Sequence, residues 1–359
     1  MADKPRRIPE ALRGVTALLP WVRATVAYRA GQYLAPEPAR YDRRPVPAMV
    51  SPHGEGYVEV FDYGDRTGYE PISDTDRKEF HEQGFLLLRN VLTEDHRAAL
   101  EAAVDRVYAE EQAKGTTTKD GTLHLLGFLE RDELFGDLLT HPIAFPYMWG
   151  LAGWNIYTHH NHLDVTPPAA EPEKPYWGWH QDGYRQNSDP ETMDPNLPRP
   201  MFSLKVAYVL SDLSEKGRGA TKVIPGSHLW NSLPRPADTS VHNPDPEGTV
   251  EITANPGDAF IFDRRQWHSR STNLSTITRK MLFVGYTYRW IRPLDELHID
   301  KDGEWWANRT PVQRQLCGEG THTANYWGIN WDGYIDDEIP LRKELKQRGL
   351  LDRSVPWLR

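Results

Sequence analysis

Between residues 150 and 290 the apolar residues come in short runs: WNIYTHHNHLDV (154–165), FSLKVAYVLSDL (202–213), DAFIFD (258–263) and KMLFVGYTYRW (280–290). Each run is rich in β-branched or aromatic residues and is bounded by Gly, Pro, Asn or Asp, the signature of strands. No helical pattern lies between them. Parallel strands need crossover helices, so a doubly wound sheet is excluded and an antiparallel sandwich or barrel remains. The 29 prolines and 27 glycines supply the turns that such a fold consumes.

The segment before this region reads differently. Phe85 to Leu88 looks like a short buried strand. Thr93 is a good helix N-cap, and Glu94 and Asp95 follow where the helix dipole favours acids. Leu100, Ala103, Val104 and Val107 then share one helical face, and Gly115 ends the helix. Residues 1–56 are expected to form an arginine-rich arm and a connector with five prolines between residues 32 and 56, and Pro20 breaks any helix across it. We expect the main domain over 57–300 and a polar, Trp-rich extension over 301–359 that ends in a charged helical piece.

Bulk composition narrows the setting. The net charge of −9 argues against a nucleic-acid partner. No apolar run reaches membrane-spanning length, and the start lacks the apolar core and cleavage site of a signal peptide. The single cysteine, Cys317, precludes an intrachain disulfide and fits a reducing compartment, so the cytoplasm is expected. The arm is expected to pack on its own domain or on a second copy, giving a homo-oligomer.

Four His-x-acid pairs occur: His53/Glu55, His162/Asp164, His180/Asp182 and His298/Asp300. On a strand, residues i and i+2 point to the same side, so such a pair delivers two ligands to one metal without strain. A facial-triad Fe(II) site needs two imidazoles and one carboxylate, the third ligand coming from another strand. His53/Glu55 lies in the connector, and His298/Asp300 has no strand–loop–strand unit after it. His162/Asp164 is the competitor, because His160, His162 and Asp164 share one face. His180/Asp182 is followed by a long apolar strand, a glycine-bracketed turn, a Pro-Gly-Asp turn with its strand, a lone His268, and Arg279 at the head of another apolar strand. A guanidinium there is costly without a carboxylate partner, and no acid lies near it in sequence.

The ordered set His180-x-Asp182, VIPGSH (223–228), PGDAFIFD (256–263), His268 and Arg279 eleven residues later resembles the phytanoyl-CoA dioxygenase family of Fe(II)/2-oxoglutarate oxygenases. EFHEQGFLLLRNVLTEDHRAAL (79–100) resembles that family's opening strand and helix. The likeness covers residues 74 to 290. It implies a mainly β double-stranded β-helix (a jelly roll, cupin-like) with flanking helices. It implies His180, Asp182 and His268 as Fe(II) ligands and Arg279 as the anchor for the far carboxylate of 2-oxoglutarate. Tyr208 and His162 fall where cosubstrate contacts are expected. Arg270 stands where a small residue is usual, and it competes with Arg279 for the carboxylate or reaches for an anionic substrate. No catalytic residue beyond the metal ligands is implied.

The activity implied is oxidation of a C–H bond, by default hydroxylation, with O2 consumed and 2-oxoglutarate decarboxylated to succinate. Asp182 disfavours halogenation. Tyr184, Arg185, Gln186, Asn187, Trp267 and Arg270 are the candidate substrate contacts, and their chemistry suggests a polar or anionic small molecule. The other reading is a non-catalytic binding jelly roll, or a metal cupin acting without 2-oxoglutarate.

Overall fold

The computed structural model describes residues 61–170, 178–182, 199–292, 299–319 and 339–351. The N-terminal arm and connector lie outside them, as do Tyr184, Arg185, Gln186 and Asn187.

The first helix, α1 (Asp74–Gln83), is capped by the Ser73 hydroxyl and stopped by Gly84 in a left-handed conformation. β1 (Phe85–Leu88) follows directly. Helix α2 (Glu94–Lys114) starts on the Thr93 side chain and ends at Gly115, and it buries Leu100, Ala103, Val104 and Val107, as its sequence pattern predicts. β2 (Leu123–Leu126), α3 (Glu133–Asp137), α4 (Phe145–Ala152), β3 (Ile156–Thr158) and β4 (His162–Thr166) come next. The remaining strands are β5 (Ser203–Val209), β6 (Thr221–Val223), β7 (Val250–Glu251), β8 (Ala259–Asp263), β9 (His268–Arg270) and β10 (Arg279–Tyr288). Helices α5 (Glu304–Ala307), α6 (Pro311–Leu316) and α7 (Pro340–Gln347) close the described chain. Among the described residues no helix is long and apolar enough to cross a membrane.

Seven strands form one sheet in the order β1-β8-β5-β10-β4-β2, with β3 also paired to β10. A second sheet runs β7-β6-β9. Every pairing is antiparallel. This is the double-stranded β-helix that the strand pattern and the family resemblance both pointed to.

Two apolar layers flank the large sheet. Leu204, Val206, Tyr208, Leu282, Val284 and Tyr286 pack with helix residues such as Leu100, Val104 and Met148. The alternate residues Ala207, Val209, Met281 and Phe283 pack with Phe260, Phe262, Val223 and Ile252 between the sheets. With cover on both faces, β5 is buried at every position, so it reads as a mainly apolar run interrupted by Ser203 and Lys205. Each side chain so buried contributes about 1.5–3 kcal/mol.

Gly285 interrupts the apolar run of β10 for a steric reason. A Cβ there would meet the His159 carbonyl oxygen at 2.0 Å. The turn before β4 crosses β10 at this point, fixed by the bonds His159 N to Gly285 O (2.8 Å) and Gly285 N to Asn161 Oδ1 (3.1 Å). His160 in this turn takes a left-handed φ of 62°.

Candidate active site

The space between the sheets is where the polar side chains converge. His180 and His268 face each other across a single antiparallel bridge, each donating its backbone N–H to the other's carbonyl at 3.0 Å. Their rings lie 4.3 Å apart. Asp182 Oδ1 is 3.6 Å from His180 Nε2 and 3.6 Å from His268 Nε2. Donors about 2.1 Å from a common ion lie roughly 3–4 Å from one another, so this spacing suits a metal. The Nδ1 atoms are committed elsewhere, to Gly178 O at 2.7 Å and to Gln266 O at 2.8 Å. A neutral ring that donates Nδ1–H to a carbonyl presents Nε2 as a lone pair, which is the form a metal requires.

Asp182 presents one oxygen inward because the other is taken. Lys205 Nζ lies 2.8 Å from Oδ2, and Arg264 Nε lies 3.2 Å from it. Burial opposes ionisation, yet Lys205 and then Arg264 hold the Asp182 carboxyl well below the usual range. Burial in turn pulls Lys205 down to about 8, against the attraction of Asp182. Arg264 also donates to Ser203 Oγ and to His160 Nδ1, both at 3.2 Å.

A second group stands beside the first. Asp164 Oδ1 lies 2.7 Å from His124 Nδ1 and 3.0 Å from His162 Nδ1. These are hydrogen-bond distances, although the three residues also lie close enough together to share an ion. Lys205 is 3.2 Å from His162 Nε2, so a cation already faces this cluster. The two groups differ in their connections: His180 and His268 bond backbone carbonyls through Nδ1 and turn Nε2 toward Asp182, whereas His124 and His162 bond Asp164 directly through Nδ1.

Arg279 is 2% exposed at its side chain, and its Nη1 is 3.6 Å from Asp164 Oδ2. Burial lowers it to about 10, against the pull of Asp164. Its Nε and Nη1 are buried and have no hydrogen-bond partner among the described residues. Such a guanidinium fits a carboxylate ligand that brings its own acceptors. The partner acid missing from its sequence neighbourhood is Asp164, set opposite Met281 by the strand register.

Two expectations are corrected. Tyr208 does not face this space. It alternates with Lys205's side of β5, lies in the helix-side core, and donates its hydroxyl to Leu138 O at 3.2 Å. Trp267 precedes β9 and does not line the cavity beside His180. It packs with Trp179 and Ile224 in a separate cluster, its indole N–H 3.4 Å from Trp230 O. Arg270 is exposed, donates to Thr166 Oγ1 at 2.9 Å, and is close enough to Arg279 to depress its basicity. His162 lies between the two groups, stacked on Phe283 with ring centres 4.2 Å apart.

Lys205, Arg264 and His124 are polar residues of this region that the sequence reading missed. Lys205 carried a signal: it is the one charge inside the apolar run FSLKVAYVL. His124 and Arg264 carried none, because only long-range pairing brings them here.

On the exposed side of His180 opens a cavity of about 370 Å³, whose walls include Thr122, Lys222, His242, Asn243 and Arg270.

Comparison with known proteins agrees with this geometry. The chain belongs to the phytanoyl-CoA dioxygenase family, matching it over residues 80–281, more than half of its length. It is 28% identical over 265 residues to the dioxygenase trt7 of Aspergillus terreus, covering 70% of this chain and 86% of that one. It is 23% identical over 279 residues to the ectoine dioxygenase of Bordetella parapertussis, covering 66% of this chain and 87% of that one. A solved structure with a similar chain trace is the non-heme alpha ketoglutarate dependent carbocyclase SnoK from nogalamycin biosynthesis, at 21% identity, a TM-score of 0.46, and coverage of 63% of this chain and 88% of that one. The protein is an iron- and 2-oxoglutarate-dependent dioxygenase, which sets aside a non-catalytic jelly roll and a cupin acting without 2-oxoglutarate.

Proposed function

We propose that this dioxygenase oxidises a C–H bond of a polar or anionic small molecule, with His180, Asp182 and His268 holding Fe(II) and Arg279 holding the far carboxylate of 2-oxoglutarate. The observation that carries the substrate class is the polar cavity beside His180, with Arg270, Lys222, His242, Asn243, Asp120 and Asp245 in its walls, where Lys222 pairs with Asp245 and Arg270 donates to Thr166 and pairs with no acid among the described residues. An apolar substrate would strip water from these groups without replacing the hydrogen bonds that water makes, at a cost of about 1–3 kcal/mol for each polar atom left unsatisfied. A ligand with an anionic group meets Arg270 instead.

The bound iron supplies the site that activates O2 and drives the oxidative decarboxylation of the cosubstrate. This chain's residues do the rest. The carbonyls of Gly178 and Gln266 orient the two imidazoles. Lys205 and Arg264 fix Asp182 so that a single oxygen faces the histidines. Arg279, at the head of β10, offers buried N–H groups without a hydrogen-bond partner among the described residues. His162 contacts Lys205 through Nε2. The reducing setting suggested by Cys317, which is buried and unpaired, supports placing the enzyme in the cytoplasm.

The experiment is a panel of small molecules incubated aerobically with the Fe(II) protein and 2-oxoglutarate, with succinate release measured. Carboxylated and phosphorylated compounds should stimulate release, and matched neutral, apolar analogues should not. Stimulation by the apolar analogues alone would overturn the substrate class.

A further inference from the structure

Arg279 has an acid beside it that does not close on it. The register of β10 against β4 sets Met281 opposite Asp164 and Arg279 opposite Thr166, so Arg279 and Asp164 are diagonal neighbours on the inner face. Their nearest approach, Nη1 to Oδ2, is 3.6 Å, an ion-pair contact longer than a well-formed hydrogen bond. Arg279 Nε and Nη1 meanwhile lack acceptors among the described residues. A stranded buried N–H is costly, and a small rotation of the Asp164 carboxylate would relieve it. The carboxylate is held back instead.

The restraint is the pair of histidines on Asp164 Oδ1, His124 Nδ1 at 2.7 Å and His162 Nδ1 at 3.0 Å. Chemistry fixes which atom donates at His162. Lys205 Nζ lies 3.2 Å from its Nε2, and an ammonium can only donate. Nε2 therefore accepts, and Nδ1 carries the proton given to Asp164. His124 is the direct cross-strand partner of Asp164 in the β2–β4 pairing, so the tether ties the acid outward, toward the sheet edge and away from Arg279.

We infer that His124 and His162 are positioning residues that hold Asp164 off Arg279, keeping open for a dicarboxylate cosubstrate a fork that the chain's own acid would otherwise fill. The inference rests on the proposed role of Arg279 as cosubstrate anchor. Without the restraint, Asp164 becomes an internal competitor for the carboxylate site. His124 is the better handle for a test. Its side chain is 53% exposed, so replacing it leaves the core packed, whereas His162 is buried against Phe283 and Lys205.

The test uses full-length protein loaded with Fe(II) under anaerobic conditions. It is titrated with 2-oxoglutarate and, separately, with 2-oxobutyrate, which lacks the far carboxylate. Binding is read from the visible absorbance that the 2-oxo acid develops at the metal. His124→Phe should weaken 2-oxoglutarate binding about tenfold, the scale of one hydrogen bond to a charged group. Its affinity for 2-oxobutyrate should not change. Adding Asp164→Asn to His124→Phe should restore 2-oxoglutarate binding to within about threefold of wild type, since a neutral amide competes poorly for a guanidinium. Unchanged 2-oxoglutarate affinity in His124→Phe overturns the inference. So does an equal loss for both acids, or a loss that Asp164→Asn does not restore. Arg279→Leu in the same titration separates the two levels. If it leaves 2-oxoglutarate affinity intact, the anchor reading itself fails. If it weakens 2-oxoglutarate while His124→Phe does not, only the positioning role fails.

Discussion

Lys205→Met removes one charge from the middle of the site and little else. The ammonium lies 2.8 Å from Asp182 Oδ2 and 3.2 Å from His162 Nε2, on a side chain only 2% exposed. Methionine fills nearly the same space and keeps the neighbourhood of the Phe283 ring, which now lies 6.0 Å from Nζ. Stranding one partner of a buried ion pair costs about 3–5 kcal/mol. Arg264 remains 3.2 Å from the same oxygen, which favours the lower end. His162 Nε2 also loses its donor, adding about 1 kcal/mol. Against this, the variant escapes the desolvation that has pulled Lys205 down to about 8, so we take about 3 kcal/mol as the net loss in metal-free protein. Equilibrium urea unfolding at pH 7, with and without saturating Fe(II) under argon, measures it. The ion supplies a positive charge to Asp182 that the variant lacks. Stabilisation by Fe(II) should therefore be greater in the variant than in wild type by about 1 kcal/mol or more. A metal-free variant within about 0.5 kcal/mol of wild type, the range of an ordinary surface change, would refute the reasoning. So would a loss of the same size with and without the ion.

His268→Ala should abolish stoichiometric Fe(II) binding, followed by metal analysis after desalting, while His162→Ala should retain the ion; the reverse pattern would mean that the wrong pair was chosen. Arg279→Leu should raise the 2-oxoglutarate KM by roughly 10²-fold with Fe(II) affinity nearly unchanged, and Arg270→Leu should leave that KM alone while raising the KM for an anionic substrate, both read from succinate release. Stability should fall with acid on the helix side of the large sheet, where Tyr63 shares its hydroxyl with His96 Nδ1 (2.6 Å) and His141 Nε2 (2.8 Å). Burial lowers His96 to about 4 and His141 well below the ordinary value. Both rings are neutral when folded and take up protons near pH 6.5 when unfolded, so their contribution is intact above about pH 6.5 and drains away as the pH falls toward 4. For His96 alone the loss between pH 7.5 and 5 is about 2 kcal/mol, and His96→Gln should flatten the urea-unfolding profile over that range; an unchanged slope in the variant would count against it.

Much of the fold was legible because its signals are local. Thr93, Glu94 and Gly115 mark the ends of α2 by capping chemistry that needs no tertiary context. The runs that became β5, β8 and β10 announce strands by composition, being covered on both faces. The triad was legible for a different reason: His180-x-Asp182, His268 and Arg279 keep an order and spacing that only a family resemblance makes meaningful. Tyr208 was misplaced because apolar residues occur on both faces of β5, and composition does not say which face meets helices and which meets the small sheet. Trp267 was misplaced because it precedes β9 and packs with Trp179 and Ile224. Asp164 was invisible as the partner of Arg279 because a hundred-odd residues of chain separate them and only the register of β10 on β4 joins them.

The bridge between His180 and His268 has a consequence for how the protein acquires its metal. The two histidines proposed as ligands sit on one isolated rung, and Asp182, the proposed third donor, is fixed by side chains from β5 and from the turn after β8. Contacts of such long sequence separation close late, after the cost of ordering the intervening chain has been met. An unfolded chain thus carries scattered imidazoles and no assembled donor set, and metallation follows folding. Selection among ions then falls to whatever pool meets the finished barrel. Two imidazoles and a carboxylate bind several first-row ions more tightly than Fe(II), so a zinc- or copper-rich environment would yield a correctly folded enzyme holding the wrong metal, and its recovery would require exchange and not refolding.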